Sequence, residues 1–326
     1  MDMNATSQLM DGHGRLVEYL RLSVTGRCNL RCRYCLPDGS PPESPDLLSL
    51  DEMAHIASQF IDLGIKRIRL TGGEPLVRRN LPDLVNALAK LPGLEDISLT
   101  TNGILLSTQA AALKDAGLNR INVSLDSLDH SRIQQITGAN VLKKVLTGLD
   151  IANAVGLKPI KINMVVMKDI NEDEVETMAM YCADRGYILR LIEPMPMGNI
   201  YTTPAAMTPI IERLTQRFDL TETDLDGGGP ARYLMSNNRK HRIGLITPLS
   251  QHFCSTCNRV RLSANGTLYT CLDEENGTNL GTLLRQGADN SLLCQAITEA
   301  IMRKQAGHNF TEQPIRQRRL MSLTGG

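Results

Sequence analysis

Cys28-Asn29-Leu30-Arg31-Cys32-Arg33-Tyr34-Cys35 follows closely on an apolar run, Val17–Val24. Thiolates spaced by three and then two residues at a strand end converge on one soft metal centre. A second triplet, Cys254-x2-Cys257-x13-Cys271, spans a hairpin signal. There Asn265-Gly266 lies between Val260–Leu262 and Leu268–Tyr269. Zinc is one reading of such cysteines, but a structural zinc site takes four ligands and each group offers three. Neither group has a histidine at zinc-ligand spacing, although His252 lies close to Cys254. An iron–sulfur cluster can take three protein thiolates and leave one iron open. Two clusters, each with an open iron, is the reading preferred here. The remaining cysteines, Cys182 and Cys294, sit in helical stretches (Glu172–Asp184, Leu292–Met302) and read as small buried hydrophobes.

Outward from the first triplet the chain alternates. Strand-like runs are Val17–Val24, Ile65–Leu70, Asp96–Thr100, Arg120–Leu125, Pro159–Met167 and Tyr187–Ile192. Helical patterns lie between them at Leu50–Leu63, Leu81–Lys90, Thr108–Ala116, Val141–Val155 and Asn171–Asp184. Ser49 and Asn171 read as N-caps, and Gly64, Gly117, Gly156 and Gly186 as helix ends. The βαβα order implies a parallel sheet with helical crossovers. Six such units predict an incomplete barrel with its chemistry at the strand C-terminal ends.

The strands are unusual in polarity. Arg67 and Arg69 alternate with Ile68 and Leu70; Asn122, Ser124 and Asp126 with Val123 and Leu125; Lys161 and Asn163 with Ile160 and Ile162; Arg190 stands between Leu189 and Leu191. Successive strand side chains face opposite ways, so the face away from the helices is polar and cationic. Two readings compete: an internal network with Glu74, Asp126 and Glu193, or a polar anion that completes the site. Burying several cations with fewer carboxylates is costly without an anion, which favours the second. Cys257, Arg259 and Arg261, spaced by two, would share a strand face beside the second triplet. Arginine suits bidentate phosphate binding.

The 326 residues are 42% hydrophobic and 21% charged, enough for a substantial core and one or two domains. Lys+Arg and Asp+Glu are equal at 35 each, which argues against a basic nucleic-acid-binding coat. Aromatic residues are 3% with no Trp, which argues against a base-stacking surface. No apolar run approaches the roughly 18 residues of a membrane span, and Met1–Tyr19 has no apolar stretch of a signal peptide. A reducing, cytoplasmic location is the expectation, with no nucleic-acid or membrane partner.

The Cys-x3-Cys-x-aromatic-Cys motif at 28–35, Thr71-Gly72-Gly73-Glu74-Pro75 after the second strand and Asn122-Val123-Ser124-Leu125-Asp126 together resemble the radical SAM superfamily. Phe253–Leu262 with Cys271, Gly229-Pro230-Ala231-Arg232-Tyr233 and the terminal Gly325-Gly326 narrow the resemblance to the GTP 3′,8-cyclase family of molybdenum cofactor biosynthesis. It runs from about Arg15 to the last residue. It implies an α/β fold: an incomplete (β/α)6 TIM-type radical SAM barrel over residues 15–198, preceded by an N-terminal extension (1–14). A C-terminal α+β region (199–326) closes the barrel.

The resemblance also implies cofactors and roles. Cys28, Cys32 and Cys35 would hold a [4Fe–4S] cluster whose open iron chelates S-adenosylmethionine. Tyr34, Gly73, Ser124 and Met195 match family positions that bind that cofactor. Cys254, Cys257 and Cys271 would hold an auxiliary [4Fe–4S] cluster whose open iron meets the purine of GTP. Arg21, Arg69, Thr100, Lys161, Arg259 and Arg261 match GTP-binding positions, and Arg67 and Arg190 look like further basic members. Arg259, Arg261 and the Gly325-Gly326 tail would act in catalysis.

In the family the reduced first cluster cleaves S-adenosylmethionine, and the 5′-deoxyadenosyl radical takes the 3′ hydrogen of GTP. The C3′ radical then attacks guanine C8, and reduction and protonation give (8S)-3′,8-cyclo-7,8-dihydroguanosine 5′-triphosphate. A reductant protein or a dithionite-like donor supplies electrons, and cyclic pyranopterin monophosphate synthase acts downstream; a homodimer is compatible. Another radical SAM enzyme with an auxiliary cluster, for peptide modification or sulfur insertion, is the alternative. One departure is the stretch Asn199–Met207, which is short and lacks the tryptophan usual in the family.

Overall fold

Side chains that alternate polar and apolar every second residue require a sheet with two unlike faces, and the chain builds one continuous sheet of 12 strands. The computed structural model describes residues 8–36, 38–40, 42–195, 203–224, 228–310 and 320–324. Its first six strands are β1 (Tyr19–Ser23), β2 (Arg67–Thr71), β3 (Asp96–Thr101), β4 (Arg120–Ser124), β5 (Ile160–Val165) and β6 (Ile188–Ile192). They lie side by side in chain order and are parallel throughout. The crossovers carry α1 (Leu50–Asp62), α2 (Leu81–Ala89), α3 (Leu106–Asp115), α4 (His130–Thr137), α5 (Leu142–Ala154) and α6 (Val175–Asp184).

The C-terminal part extends both edges of these six strands. After α7 (Met207–Phe218), β7 (Leu220–Thr223), β8 (Arg232–Ser236) and β9 (Arg242–Ile246) lie beyond β6, with β9 parallel to β6. At the other edge β10 (Arg259–Leu262) runs parallel to β1. It is followed by β11 (Thr267–Tyr269) and β12 (Thr278–Asn279), both antiparallel to their neighbours. The helices α8 (Leu280–Arg285), α9 (Asn290–Met302) and α10 (Met321–Thr324) complete the described chain.

Local chemistry accounts for most boundaries. Ser49 caps α1 in a reciprocal box with Glu52, each satisfying the other's backbone N–H. Gly64, Gly117, Gly156 and Gly186 all follow helices with positive φ, as the sequence predicts. Asn171 departs from its predicted cap role. Its amide donates to the carbonyls of Asp126 and Val165 and accepts from Met167 N–H, stitching the ends of β4 and β5. The predicted Asn171–Asp184 helix accordingly opens with a 3₁₀ turn, Glu172–Glu174, before α6. Helix α4, capped by Asp129, and the segment from α7 to β9 have no counterpart among the predicted elements.

The apolar sheet face, with Leu20, Ile68, Leu99, Ile121, Ile162 and Leu189, packs into one core with Phe60, Leu84, Leu113, Leu149 and Met178 of the helices. Each such side chain contributes about 1.5–3 kcal/mol by burial. Cys182 is buried in this core as expected, whereas Cys294 is only partly buried, its thiol near Gln59. No helix of the described residues is long and apolar enough to cross a membrane.

Candidate active site

The opposite face of the sheet carries the chemistry. Strand register lines up Arg261, Arg21, Arg69 and Ser98 across β10, β1, β2 and β3. Thr100, Asn122 and Lys161 follow across β3, β4 and β5, and Asn163, Arg190 and Gly244 across β5, β6 and β9. Arg21, Arg69, Lys161 and Arg190 are all buried.

Their partners are mostly neutral. Arg190 donates to Asn163 Oδ1 at 2.9 Å and to Asn122 Oδ1 at 2.7 Å. Arg69 donates to Ser98 Oγ at 3.3 Å. Lys161 Nζ donates to Tyr233 Oη at 2.9 Å. Asp96 neutralises one further cation, Arg120, at 2.8 Å; Arg120 Nη1 is nevertheless buried without a hydrogen-bond partner among the described residues.

The carboxylates that could neutralise this row are engaged elsewhere. Glu74 accepts from Thr101 Oγ1 and from the N–H groups of Leu76 and Asn102. Asp126 accepts from Val165 N–H and Tyr34 Oη. Glu193 accepts from the N–H groups of Leu249 and Ser250. The cations therefore act on one another. Burial and then Arg190, Arg120 and Arg69 push the Lys161 ammonium down to about 7. Burial and Arg69 bring Arg190 down to about 10. Burial, Arg261 and Arg69 hold Arg21 well below its usual value. Burying several cations side by side is costly unless an anion accompanies them.

A thiol triad stands at each end of this face. Cys28, Cys32 and Cys35 lie beyond the C-terminal end of β1. Cys35 N–H and Leu36 N–H both donate to the Cys32 carbonyl at 2.9 Å, closing a tight turn. Leu30 N–H approaches Cys28 Sγ at 3.4 Å. Burial, reinforced by Cys28, pushes the Cys35 thiol up to about 12. Burial, Asp126 and the other two thiols hold Cys32 well above its usual value. Three half-buried cysteines whose negative charges would repel one another suit a centre that brings positive charge.

Gly72 and Gly73 lie against the loop between β1 and the triad. A Cβ on Gly73 would lie 2.3 Å from the Arg27 carbonyl oxygen, and Gly72 has φ +148° with the Thr25 carbonyl equally close. Only glycine permits this approach. Tyr34 is tied to Asp126 at 2.8 Å, and burial lifts the Asp126 carboxyl to about 6. Ser124 ends β4 half-buried, and Met195 is half-buried just before the undescribed residues.

The second triad lies at the N-terminal edge. Asn258 O accepts from Glu18 and Tyr19 N–H at 3.2 Å, which seats Cys257 at the start of β1. Four residue steps from Tyr19 to Ser23, at about 3.3 Å each, leave about 13 Å of polar strand face between the two ends. Cys254–Thr256 form a 3₁₀ turn, closed by Cys257 N–H on the Cys254 carbonyl at 3.2 Å. Burial raises the Cys257 thiol, but Arg259, 3.7 Å from Sγ, and Lys304 outweigh it and bring it to about 7. Burial raises Cys271.

Two residues not singled out from the sequence serve this end. Buried Lys304 donates to the carbonyls of Arg259 and Thr270, bracing β10 against the end of β11. Arg15, held by Asp11, donates to the carbonyls of Cys254 (2.7 Å), Ala306 (2.8 Å) and Gln305 (2.6 Å). Their sequence positions, a lone Lys after a helix and a lone Arg in a loop, carry no signal of these contacts. A cavity of ≈ 250 Å³ opens here, lined by Arg67, Gly228, Gly229, Phe253, Cys257 and Arg259 among others.

Arg21, Arg67, Arg69, Thr100, Lys161, Arg190, Arg259 and Arg261 thus share one face between the triads. Tyr34, Gly73 and Ser124 gather with Cys28, Cys32 and Cys35 at its C-terminal end. Gly325, Gly326 and residues 199–202 of the short stretch lie outside the described residues.

Comparison with known proteins gives the family. Residues 22–182 match the radical SAM superfamily, and residues 187–310 match the family described as Molybdenum Cofactor Synthesis C. A GTP 3′,8-cyclase of Mesorhizobium japonicum is 45% identical over 334 residues, covering 98% of this chain and 99% of that protein. One from Rhizobium etli is 44% identical, covering 98% and 94%. One from Ectopseudomonas mendocina is 41% identical, covering 98% and 99%. Among solved structures, Streptococcus suis SuiB bound to S-adenosylmethionine matches with a TM-score of 0.65 at 16% identity, over 86% of this chain and 68% of that one. That likeness is one of fold.

Proposed function

The chain belongs to the GTP 3′,8-cyclase family of the radical SAM superfamily, and on that premise we propose that it converts GTP to (8S)-3′,8-cyclo-7,8-dihydroguanosine 5′-triphosphate. The reaction is the first step of molybdenum cofactor biosynthesis. The observation that carries the reading is the row of buried cations, Arg21, Arg69, Lys161 and Arg190, strung between two thiol triads.

Cys28, Cys32 and Cys35 would hold a [4Fe–4S] cluster, with Tyr34, Gly73, Ser124 and Met195 around S-adenosylmethionine. Cys254, Cys257 and Cys271 would hold the second cluster. When bound, the reduced first cluster and S-adenosylmethionine supply the carbon radical that takes the ribose 3′ hydrogen. The protein positions the substrate. Arg21, Arg69, Lys161, Arg190, Arg259 and Arg261 offer a cationic cradle to the triphosphate, with Arg67 and Thr100 at its margin. A bound polyanion relieves their mutual repulsion, so binding energy is available to hold the 3′ carbon toward the first triad. Asn122 and Asn163 hold Arg190 as a fork aimed along the face.

The sheet is inferred to curve into an incomplete barrel with this face as its lumen. In support, Ser98 and Asn122 have no exposed surface although the helical core lies on the other side. On this reading residues 15–198 carry S-adenosylmethionine cleavage, and residues 199–326 supply the second triad and the Gly325-Gly326 tail. Electrons would come from a reductant protein, and the product would pass to cyclic pyranopterin monophosphate synthase.

The test is anaerobic turnover of the reconstituted chain with S-adenosylmethionine, dithionite and GTP. GTP-dependent 5′-deoxyadenosine, with a product isomeric with GTP, is the expected result. S-adenosylmethionine cleavage indifferent to GTP would overturn the substrate assignment and favour a peptide- or sulfur-handling enzyme of the same superfamily.

A further inference from the structure

Residues 304–309 form a strap across the second triad. Lys304 is anchored to β10 and to the end of β11, Gln305 and Ala306 to Arg15, and Asn309 N–H to Asp273 Oδ2 at 2.7 Å. Gly307 passes so close that a Cβ there would lie 3.7 Å from Cys254 Cβ and 3.8 Å from its sulfur. The strap thereby sets His308 beside Cys254. His252 arrives from the other side, two residues before Cys254, and the two imidazoles lie 4.8 Å apart between ring centroids. Ligand atoms of His252, Cys254 and His308 all lie within 4.8 Å of one another.

We propose that His252, Cys254 and His308 form a mononuclear site for a borderline divalent cation, zinc above all, which shares Cys254 with the second thiol triad. Two imidazoles and one thiolate are a donor set for zinc and exclude the hard cations magnesium and calcium. Ligands about 2.0–2.3 Å from a tetrahedral zinc lie roughly 3.5 Å from one another, so the group must contract by about 1 Å. His252 is exposed and can make that movement. His308 is already oriented: Nε2 faces the Pro248 carbonyl at 3.0 Å, and the ring rests on Phe310 at 4.5 Å. A backbone carbonyl on one ring nitrogen is how proteins fix a ligating histidine; Nδ1, the nitrogen left for the metal, gives up a long 3.5 Å contact from Phe310 N–H. Binding deprotonates the Cys254 thiol, its proton passing to solvent, and leaves the fourth position to water.

The site has a consequence. Cys254 cannot serve zinc and the second cluster at once, so zinc bound here blocks loading of the second triad. That consequence rests on the second-cluster assignment; the zinc site itself does not.

The full-length chain, stripped of metal under anaerobic conditions, is the material for the test. It is given one equivalent of zinc, desalted, and then loaded with iron and sulfide; zinc and iron per chain are measured by mass spectrometry. Wild type is expected to retain zinc and to load about half the iron of the zinc-free control. His252→Ala, and His252→Ala with His308→Asn, are expected to bind zinc at least tenfold more weakly and to load iron as fully as their zinc-free controls. Zinc retention unchanged in both variants would overturn the site, the first of them removing only an exposed ring. Half-loading of wild type without zinc would overturn the second-cluster assignment, leaving zinc retention in the variants to decide the site by itself.

Discussion

Replacing Lys161 with methionine should stabilise the unliganded protein while weakening its hold on GTP. The wild-type ammonium titrates at about 7 instead of 10.5, because burial and the neighbouring Arg190, Arg120 and Arg69 oppose its charge. At about 1.4 kcal/mol per pH unit, keeping it charged in the fold costs about 5 kcal/mol. Methionine fills similar volume and removes that cost, but loses the bond to Tyr233 Oη, worth about 2 kcal/mol including the stranded hydroxyl. At pH 6, where wild-type Lys161 is charged in both states, Lys161→Met should gain about 2–3 kcal/mol. The sign with pH follows from proton counting: between about 7 and 10.5 the unfolded chain binds the proton that the fold has lost, so wild-type stability rises with pH. By pH 9 wild type has recovered about 2–3 kcal/mol, and the advantage of the variant should shrink to near zero. Urea unfolding at pH 6 and pH 9 measures both values. GTP binding by the same variant should weaken at least tenfold, since one cation of the cradle is gone. A variant equally destabilised at both pH values would refute the reasoning, because it would mean that the charge is already neutralised inside the fold.

Other residues make separate predictions. Arg259→Ala and Arg261→Ala should lower GTP-dependent turnover at least tenfold with iron and sulfide content unchanged; wild-type turnover in both would remove them from the substrate site. Deleting Gly325-Gly326 should abolish cyclisation and spare cluster assembly, as read by product analysis beside iron content; full activity would make the tail dispensable. Burial lifts the Glu74 carboxyl to about 7 against the hydrogen bonds of Asn102, Thr101 and Leu76. The fold therefore binds a proton that the unfolded chain has lost between pH 4.5 and 7, and wild type loses stability over that range. Glu74→Gln should carry a constant penalty and lack this slope, which amounts to about 3 kcal/mol; parallel pH profiles of unfolding for the two proteins would contradict it.

Much of this was legible in order along the chain. Parallel β-strands with helical crossovers announce themselves locally, because period-two and period-3.6 patterns, Ser49 and the four terminal glycines are near-neighbour physics. The elements from α7 to β9 are harder to read. Helix α7 is amphipathic through Met207, Ile210 and Leu214, but β7 has only four residues, and β8 and β9 find their places only by pairing with one another and, for β9, with β6. Asn171 shows the limit of a local rule: its position suits an N-cap, yet two backbone carbonyls from β4 and β5 compete for its amide and win.

The cationic face was legible too, from Arg67, Arg69, Lys161 and Arg190 alternating with apolar residues. Whether carboxylates neutralise it was not, because that depends on where Glu74, Asp126 and Glu193 point. The sequence by itself determined the order of the six central strands, the two thiol triplets and the polarity of one sheet face, because spacing and alternation are one-dimensional facts with direct geometric consequences. The tertiary structure alone decided that β10 pairs with β1 and that Arg15 and Lys304 strap residues 304–309 beside Cys254. It also decided that Glu74, Asp126 and Glu193 turn to backbone amides and hydroxyls, while Arg69, Lys161 and Arg190 take neutral partners among the described residues. These are contacts between residues tens to hundreds of positions apart, and they exist only once the core has closed the chain on itself.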